Sequence, residues 1–256
     1  MGRNAWRWRQ LFRNLTIRNL KVKYQRSMLG FIWALLNPLL MVAILAAVFT
    51  HVVRIPMEHY VAFLLSSYFV WNFLMQTMSG ATFMLTEHTS LIRSVAFPSE
   101  LLVFSAVSSR MVEFLVEMGL VLAGLAVVHH HGIPGAWIWL PWLFLLQVIM
   151  ALALSFPLAV LSVFYQDIEH MLPVALTVLF YISPVFYPSN MVPEALRSWY
   201  MANPFAQLLT AYRTVVYEGQ GLAWQDIARL TAAVCLAWGV GYAIFRRYKA
   251  EIAEVI

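Results

Sequence analysis

Between Arg26 and Arg54 the chain runs for 27 residues without a charged side chain. At about 1.5 Å per helical residue such a run reaches roughly 40 Å, enough to cross a ~30 Å hydrocarbon core with tilt. A second uncharged run lies between Glu58 and Glu87. Over all 256 residues, 62% are hydrophobic and 11% charged, too few charges to coat a soluble domain of that size. An ordinary soluble enzyme, a disordered chain and a secreted disulfide scaffold are thereby excluded. The single Cys235 forms no intrachain disulfide, and its apolar surroundings in sequence mark it as a small packed core residue.

The same pattern predicts an all-α membrane protein of one domain with six spans, at about 28–53, 60–85, 101–128, 137–165, 172–187 and 227–245. The third carries Arg110, Glu113 and Glu117. An even count puts both termini on one side. With that side cytoplasmic, twelve Lys and Arg lie inside and four outside, which favours both termini in. Eight of the basic residues precede residue 27, a stretch too long for the basic region of a cleavable signal. No soluble domain exists to present this charge to nucleic acid.

Three segments do not span. Residues 3–27 put Trp8, Leu11, Phe12, Leu15 and Val22 on one side of a helical wheel, with all the basic residues but Arg26 around the rest. This is the pattern of an interfacial helix on anionic lipid, or else of an unstructured basic flank. Thr86 to Glu100 reads as a short cytoplasmic helix stopped by Pro98, either a docking surface for a soluble partner or a connector. Residues 188–226 hold two short apolar helices, one with Pro193 at its first position and one opened by Asn203–Pro204 and running to about Glu218. Such a broken hairpin is a re-entrant lid over a pathway, or a pair resting on the outer leaflet.

Some chemistry is missing. No GxxxxGK[ST] loop occurs, and none of the three lysines follows a glycine, so any ATP that drives this chain is bound by another polypeptide. His129, His130 and His131 stand adjacent on one loop without nearby carboxylates, a poor metal site and an ordinary wet outer loop. Asp167 and Glu169 are the one carboxylate pair an intramembrane enzyme has to offer, and they fall in a cytoplasmic turn. Arg110, Glu113 and Glu117 share a helical face. An Arg110–Glu113 pair with Glu117 reaching another helix makes a structural clamp, and a proton or ion relay is the alternative.

Leu20 to Leu40 resembles the N-terminal region of type-2 ABC permeases that export polysaccharides, O-antigens and teichoic acids. The matching residues are Lys23, Tyr24, Ser27, Leu29, Gly30, Trp33, Pro38 and Leu39. Further matches follow in order: Trp71, Phe97 to Glu100, Phe164 to Ile168, Ser183 to Tyr187, Asn203 to Phe205, and Arg213. Gln166 departs from the arginine usual in the family.

The resemblance implies a transport subunit of the bacterial cytoplasmic membrane, not an enzyme. Two copies form one permease above two copies of a separate ABC ATPase subunit, which carries the ATP and Mg; this chain binds no cofactor. It implies that spans one and five line the pathway, with Phe31, Trp33, Phe180, Tyr181, Phe186 and Tyr187 as candidate lining residues. Weak, repeated aromatic contacts suit a moving sugar chain. Arg18, Lys21, Lys23 and Arg26 are candidates to attract the head group of an undecaprenyl-linked glycan. Glu87, Leu91, Arg93 and Phe97 are candidate ATPase-docking residues, and Trp199, Tyr200, Tyr212 and Arg213 a candidate exit gate. A membrane-embedded enzyme acting on lipid-linked sugars and a small-molecule or lipid exporter are the alternatives.

Overall fold

The computed structural model describes residues 2–25, 30–55, 57, 59–89, 92, 98–128 and 134–255. Its helices are α1 (Gly2–Tyr24), α2 (Ile32–Ala47), α3 (Tyr60–Met84), α4 (Glu100–Val128), α5 (Leu140–Phe164), α6 (Asp167–Ile182), α7 (Glu194–Ala202), α8 (Pro204–Val216) and α9 (Trp224–Val255). A π turn, Val48–Val52, extends α2, and a 3-10 turn, Gly135–Trp139, leads into α5. No strand occurs among the described residues.

Four stretches are long and apolar enough to cross a membrane: Ile32–Val52, Tyr60–Met84, Gly135–Phe164 and Trp224–Ile252. Two other expected spans are present as helices of a different kind. The 29 residues of α4 include Arg110, Glu113 and Glu117 within them. At 16 residues α6 is shorter than the ~20 that a bilayer asks of an upright helix.

At the centre stands α3, packed against α2, α4, α5, α6 and α8. Phe63, Leu64, Val70 and Leu74 are buried there, with Trp71 wedged between Phe180 and Phe205. Its polar residues turn inward on the helix itself. Ser66 Oγ donates to Phe63 O at 2.7 Å and Thr77 Oγ1 to Phe73 O at 2.7 Å, so each hydroxyl is satisfied without water.

The most extensive helix contact joins α5 to α9. A Cβ added to Gly241 would lie 1.9 Å from the Ala153 carbonyl oxygen, so only glycine lets the two backbones approach this closely. Phe156 of α5 fills the same seam against Trp238, Tyr242 and Phe245.

By contrast, α2 is thinly packed. Its buried residues, Ala34, Pro38, Val42 and Ala46, recur every fourth position and form a single stripe. Ile32, Trp33, Leu40 and Ile44 lie on its exposed remainder.

Against α4 lies α1, anchored by the buried Leu15. Val22, expected on the same apolar stripe, is exposed, because the far end of α1 turns Lys23 rather than Val22 toward α4. At the other end of the chain, Lys249 Nζ bonds both Glu100 carboxylate oxygens, at 2.5 and 2.7 Å. Both ends of the chain are thus held against the first half of α4.

Three further expectations need correction. Cys235 is exposed, because it sits on the outward side of α9 beside Leu236 rather than in the α5 seam. The fifth apolar run begins at Asp167 and ends as a helix at Ile182, not Tyr187. Proline disfavours helical backbone at the residue before it, and Ser183, which precedes Pro184, is extended. Pro193 stands one position before the first helical residue of α7, as its N-cap.

Candidate functional site

The break after α6 organises the end of the bundle where α2, α3, α7 and α8 converge. Three of its backbone carbonyls, those of Pro184, Val185 and Phe186, accept from side-chain donors. Arg213 of α8, 4% exposed, sends Nη2 to Pro184 O at 2.5 Å and to Ser67 Oγ at 3.0 Å. Ser67 Oγ donates onward to Val185 O at 3.0 Å, and Tyr60 OH donates to Phe186 O at 2.5 Å. Asn203 Nδ2 donates to Ser183 Oγ at 3.3 Å, while Asn203 Oδ1 accepts from Phe205 N and caps α8. The Arg213 guanidinium also lies over the Phe63 ring, 3.7 Å from its centroid. A planar fork of five donors suits a site where several acceptors converge.

An aromatic cluster surrounds the break. Phe186 touches Phe49 of the π turn, Phe180, Tyr181 and Tyr187, with centroids 5.0–5.7 Å apart. Tyr187 OH donates to Tyr181 O at 3.0 Å, and its ring meets Tyr200 of α7. Four of the six expected lining residues therefore form one patch, Phe180, Tyr181, Phe186 and Tyr187. Phe31 and Trp33 lie at the opposite end of α2, both partly exposed. The helix stops between Phe180 and Tyr187, so the break rather than a shared helical face brings them together.

The expected gate residues divide by environment. Trp199 is 81% exposed, whereas Tyr200, Tyr212 and Arg213 are buried. Tyr212 OH donates to Gln147 Oε1 of α5, so Tyr212 and Arg213 fasten α8 to the bundle and only Trp199 projects outward.

The second constellation sits where α1, α3 and α4 meet. Glu113 Oε2 accepts from Lys23 Nζ at 2.8 Å and from Arg110 Nη1 at 2.9 Å. Arg110 also reaches Gln76 Oε1 of α3 at 2.7 Å, and Lys23 approaches the same oxygen at 3.5 Å. The expected Arg110–Glu113 pair is present, and Glu113 rather than Glu117 makes the link to another helix. Glu117, one turn on and 4% exposed, lines a separate cavity of about 1150 Å³ with Leu35, Leu39 and Tyr60. Burial, and next the Arg110 charge, lower the Lys23 pKa below its ordinary value, against the opposing pull of Glu113.

Lys23, expected to face a lipid head group, is thus already engaged by Glu113. Arg18 lines the adjoining cavity of about 320 Å³ and Lys21 is exposed. Glu87 is exposed on the rim of that cavity. Arg26, Leu91, Arg93, Phe97 and the three adjacent histidines lie outside the described residues. Asp167 and Glu169 occupy the first turn of α6, where carboxylates complement the helix dipole.

Gln76, Ser67 and Tyr60 escaped the sequence reading. Polar residues inside an uncharged apolar run were the available signal, since such groups in a bundle interior find partners. Among the described residues, no group of three or more His, Cys, Asp or Glu is placed to hold a metal ion.

A bundle of apolar helices of spanning length, with Arg213, Arg110 and Glu113 hydrogen-bonded inside it, defines a multi-pass helical membrane protein. The family described as ABC-2 type transporter matches residues 10–217, and the chain belongs to that family. It is 30% identical to an O-antigen export system permease protein, RfbA, of Myxococcus xanthus, over 99% of this chain and 98% of that one. It is 28% identical to the protein of the same name from Klebsiella pneumoniae, over 94% of this chain and 93% of the other. The polysialic acid transport protein KpsM of Escherichia coli is 21% identical over 91% of each.

Proposed function

We propose that the chain is the transmembrane subunit of an ATP-driven exporter that moves a lipid-linked polysaccharide across the bacterial cytoplasmic membrane. Two copies form one permease, and two copies of a separate ABC ATPase bind beneath. The observation that carries this reading is the near full-length similarity to permeases named for O-antigen export. The absence of a phosphate-binding loop from the sequence agrees with nucleotide binding on another polypeptide.

In this arrangement α4 and α6 are spans as well, giving six, with both termini cytoplasmic. Charge within α4 is tolerated because Arg110 and Glu113 meet each other, Gln76 and Lys23. The short α6 is completed by the break, whose carbonyls are satisfied by protein, and α7 and α8 form the re-entrant outer hairpin. On the inner leaflet α1 lies at the membrane surface.

The exposed apolar side of α2 and the exposed Val174, Val178 and Tyr181 of α6 suit a two-fold interface that encloses a central pathway. The aromatic patch at the break lies at the pathway's outer end, where flat rings meet sugar faces without holding any one tightly. Trp199 stands at the exit. Arg18 and Lys21, with Arg26, draw an anionic lipid head group to the inner entrance. Around Glu87 the ATPase docks, and its motion reaches the spans through α1 and the Lys23–Glu113 link.

Disrupting the gene and extracting lipid-linked glycans tests this. Accumulation on the inner leaflet with loss of surface glycan is expected; normal surface glycan contradicts it.

A further inference from the structure

A second feature of the outer end has no part in the pathway just described. Residues of α5, α7, α8, α9 and the loop before α9 enclose a cavity of about 360 Å³, and no residue of α2 or α6 lines it. It shares Met201, Gln207 and Arg229 with an open depression of about 750 Å³ that continues past Glu194 and Arg197 of α7. The two make one groove behind the hairpin. The inner part falls within the ~300–1,000 Å³ of small-ligand sites.

The lining mixes opposite polar characters. Glu218 and Asp226 offer carboxylate acceptors, Arg229 offers donors, and Trp142 offers an indole 38% exposed. Gln207 Nε2 is committed to Met201 O at 2.8 Å, while its Oε1 is buried without a hydrogen-bond partner among the described residues. Thr210 Oγ1 on the same wall is also buried and unpartnered among them. These two acceptors stand on the wall of the cavity, where a ligand with hydroxyl donors can pair them.

The chemistry narrows what that is. Two carboxylates repel a phosphate or an acidic peptide. Arg229, 3.8 Å from Asp226, offsets one of the two carboxylates and leaves little net charge to hold a cation. A neutral ligand whose polar groups each donate and accept satisfies the whole set. A sugar ring does this: its hydroxyls give protons to Glu218 and Asp226, take them from Arg229, and meet Gln207 and Thr210. Its C–H face lies on Trp142. We propose that the groove behind the hairpin is a glycan-binding site, lined by Trp142, Gln207, Thr210, Glu218, Asp226 and Arg229, that holds sugar units of the chain after they leave the pathway. This rests on the exporter reading. It adds a holding site separate from the conduit, which disfavours backsliding between power strokes.

The test uses the full chain in lipid nanodiscs and, as probe, delipidated oligosaccharides released from the host bacterium's surface polysaccharide. Ligand-observed saturation-transfer NMR reads binding. Wild type and the lipid-facing control Cys235→Ser bind alike. The double variant Glu218→Gln, Asp226→Asn weakens binding about tenfold, as loss of charge-assisted hydrogen bonds requires. Trp142→Ala weakens it comparably, and the near-isosteric Thr210→Val, which leaves the fold undisturbed, weakens it about threefold. No binding by wild type, or equal binding by all variants, overturns the groove. Complementation of a gene-disrupted strain separates the two levels. If wild type restores surface glycan and the double variant restores it equally with undiminished oligosaccharide binding, the groove fails alone. If wild type restores none, the exporter reading and the groove fall together.

Discussion

The two polar hubs solve the same problem with different chemistry. At the outer hub one buried cation, Arg213, is surrounded by neutral acceptors: the Pro184 and Val185 carbonyls and the Ser67 hydroxyl. At the inner hub two cations, Lys23 and Arg110, share one carboxylate, Glu113. The outer hub holds backbone and fixes where a helix ends. The inner hub holds side chains and ties α1 and α3 to the Arg110–Glu113 pair on α4. Strength follows from this. A guanidinium buried among carbonyls cannot leave without orphaning the Pro184 carbonyl, whereas Lys23, a third exposed, can trade Glu113 for water. The difference teaches that the outer hub is a fixed seat for the hairpin and the inner hub a releasable joint, suited to an element that moves.

Removing Arg213 is the hardest blow to that contrast. Arg213→Ala leaves the buried Pro184 carbonyl unpaired and a void beside Phe63, and is expected to cost about 2–4 kcal/mol, read as loss of folded protein in detergent thermal unfolding. Arg213→Lys does not rescue, because a point charge cannot span the same acceptors. A full rescue by lysine shows that charge alone matters there. Next comes Glu113→Gln, expected to cost about 1–3 kcal/mol, since it strips the carboxylate from two cations at once. Its partner change Lys23→Met costs less, and the double variant less than the sum. A double-mutant cycle in unfolding experiments measures the coupling, and strict additivity refutes a direct pair. Raising salt weakens the Lys23–Glu113 link and leaves the Arg213 seat unaffected, because only the first is partly open to solvent. Smallest are Asn203→Ala and Ser67→Ala, each about 1 kcal/mol, through loss of the α8 cap and of one carbonyl donor.

Much of this architecture could be read before any coordinates. Uncharged runs gave the helices of α2, α3, α5 and α9, because hydropathy is a local property that survives folding. Asn203–Pro204 and the Arg110–Glu113 spacing were legible for the same reason: a cap and an i,i+3 pair need only neighbours in sequence. The hubs themselves were not. Lys23 meets Glu113 across 90 residues and Ser67 meets Val185 across 118. No periodicity specifies which buried donor finds which carbonyl. The helical wheel of residues 3–27 puts Lys23 with the other basic residues facing lipid, yet it is turned toward Glu113. The α6 stop was written in Ser183–Pro184, but an unbroken apolar composition through Tyr187 masked it. Cys235 shows the converse, since on the outward side of a helix an apolar neighbourhood in sequence does not mean a protein interior.

Reconstituted flux decides whether this bundle is half of a conduit powered from elsewhere. The chain is placed in proteoliposomes with lipid-linked glycan, with and without its ATPase subunit and MgATP, and glycan reaching the far side is followed by an impermeant oxidant of sugar diols. Movement is expected only when all components are present, with no ATP consumed by the chain alone. Movement that needs neither ATPase nor nucleotide, or glycan altered by the isolated chain, would contradict it.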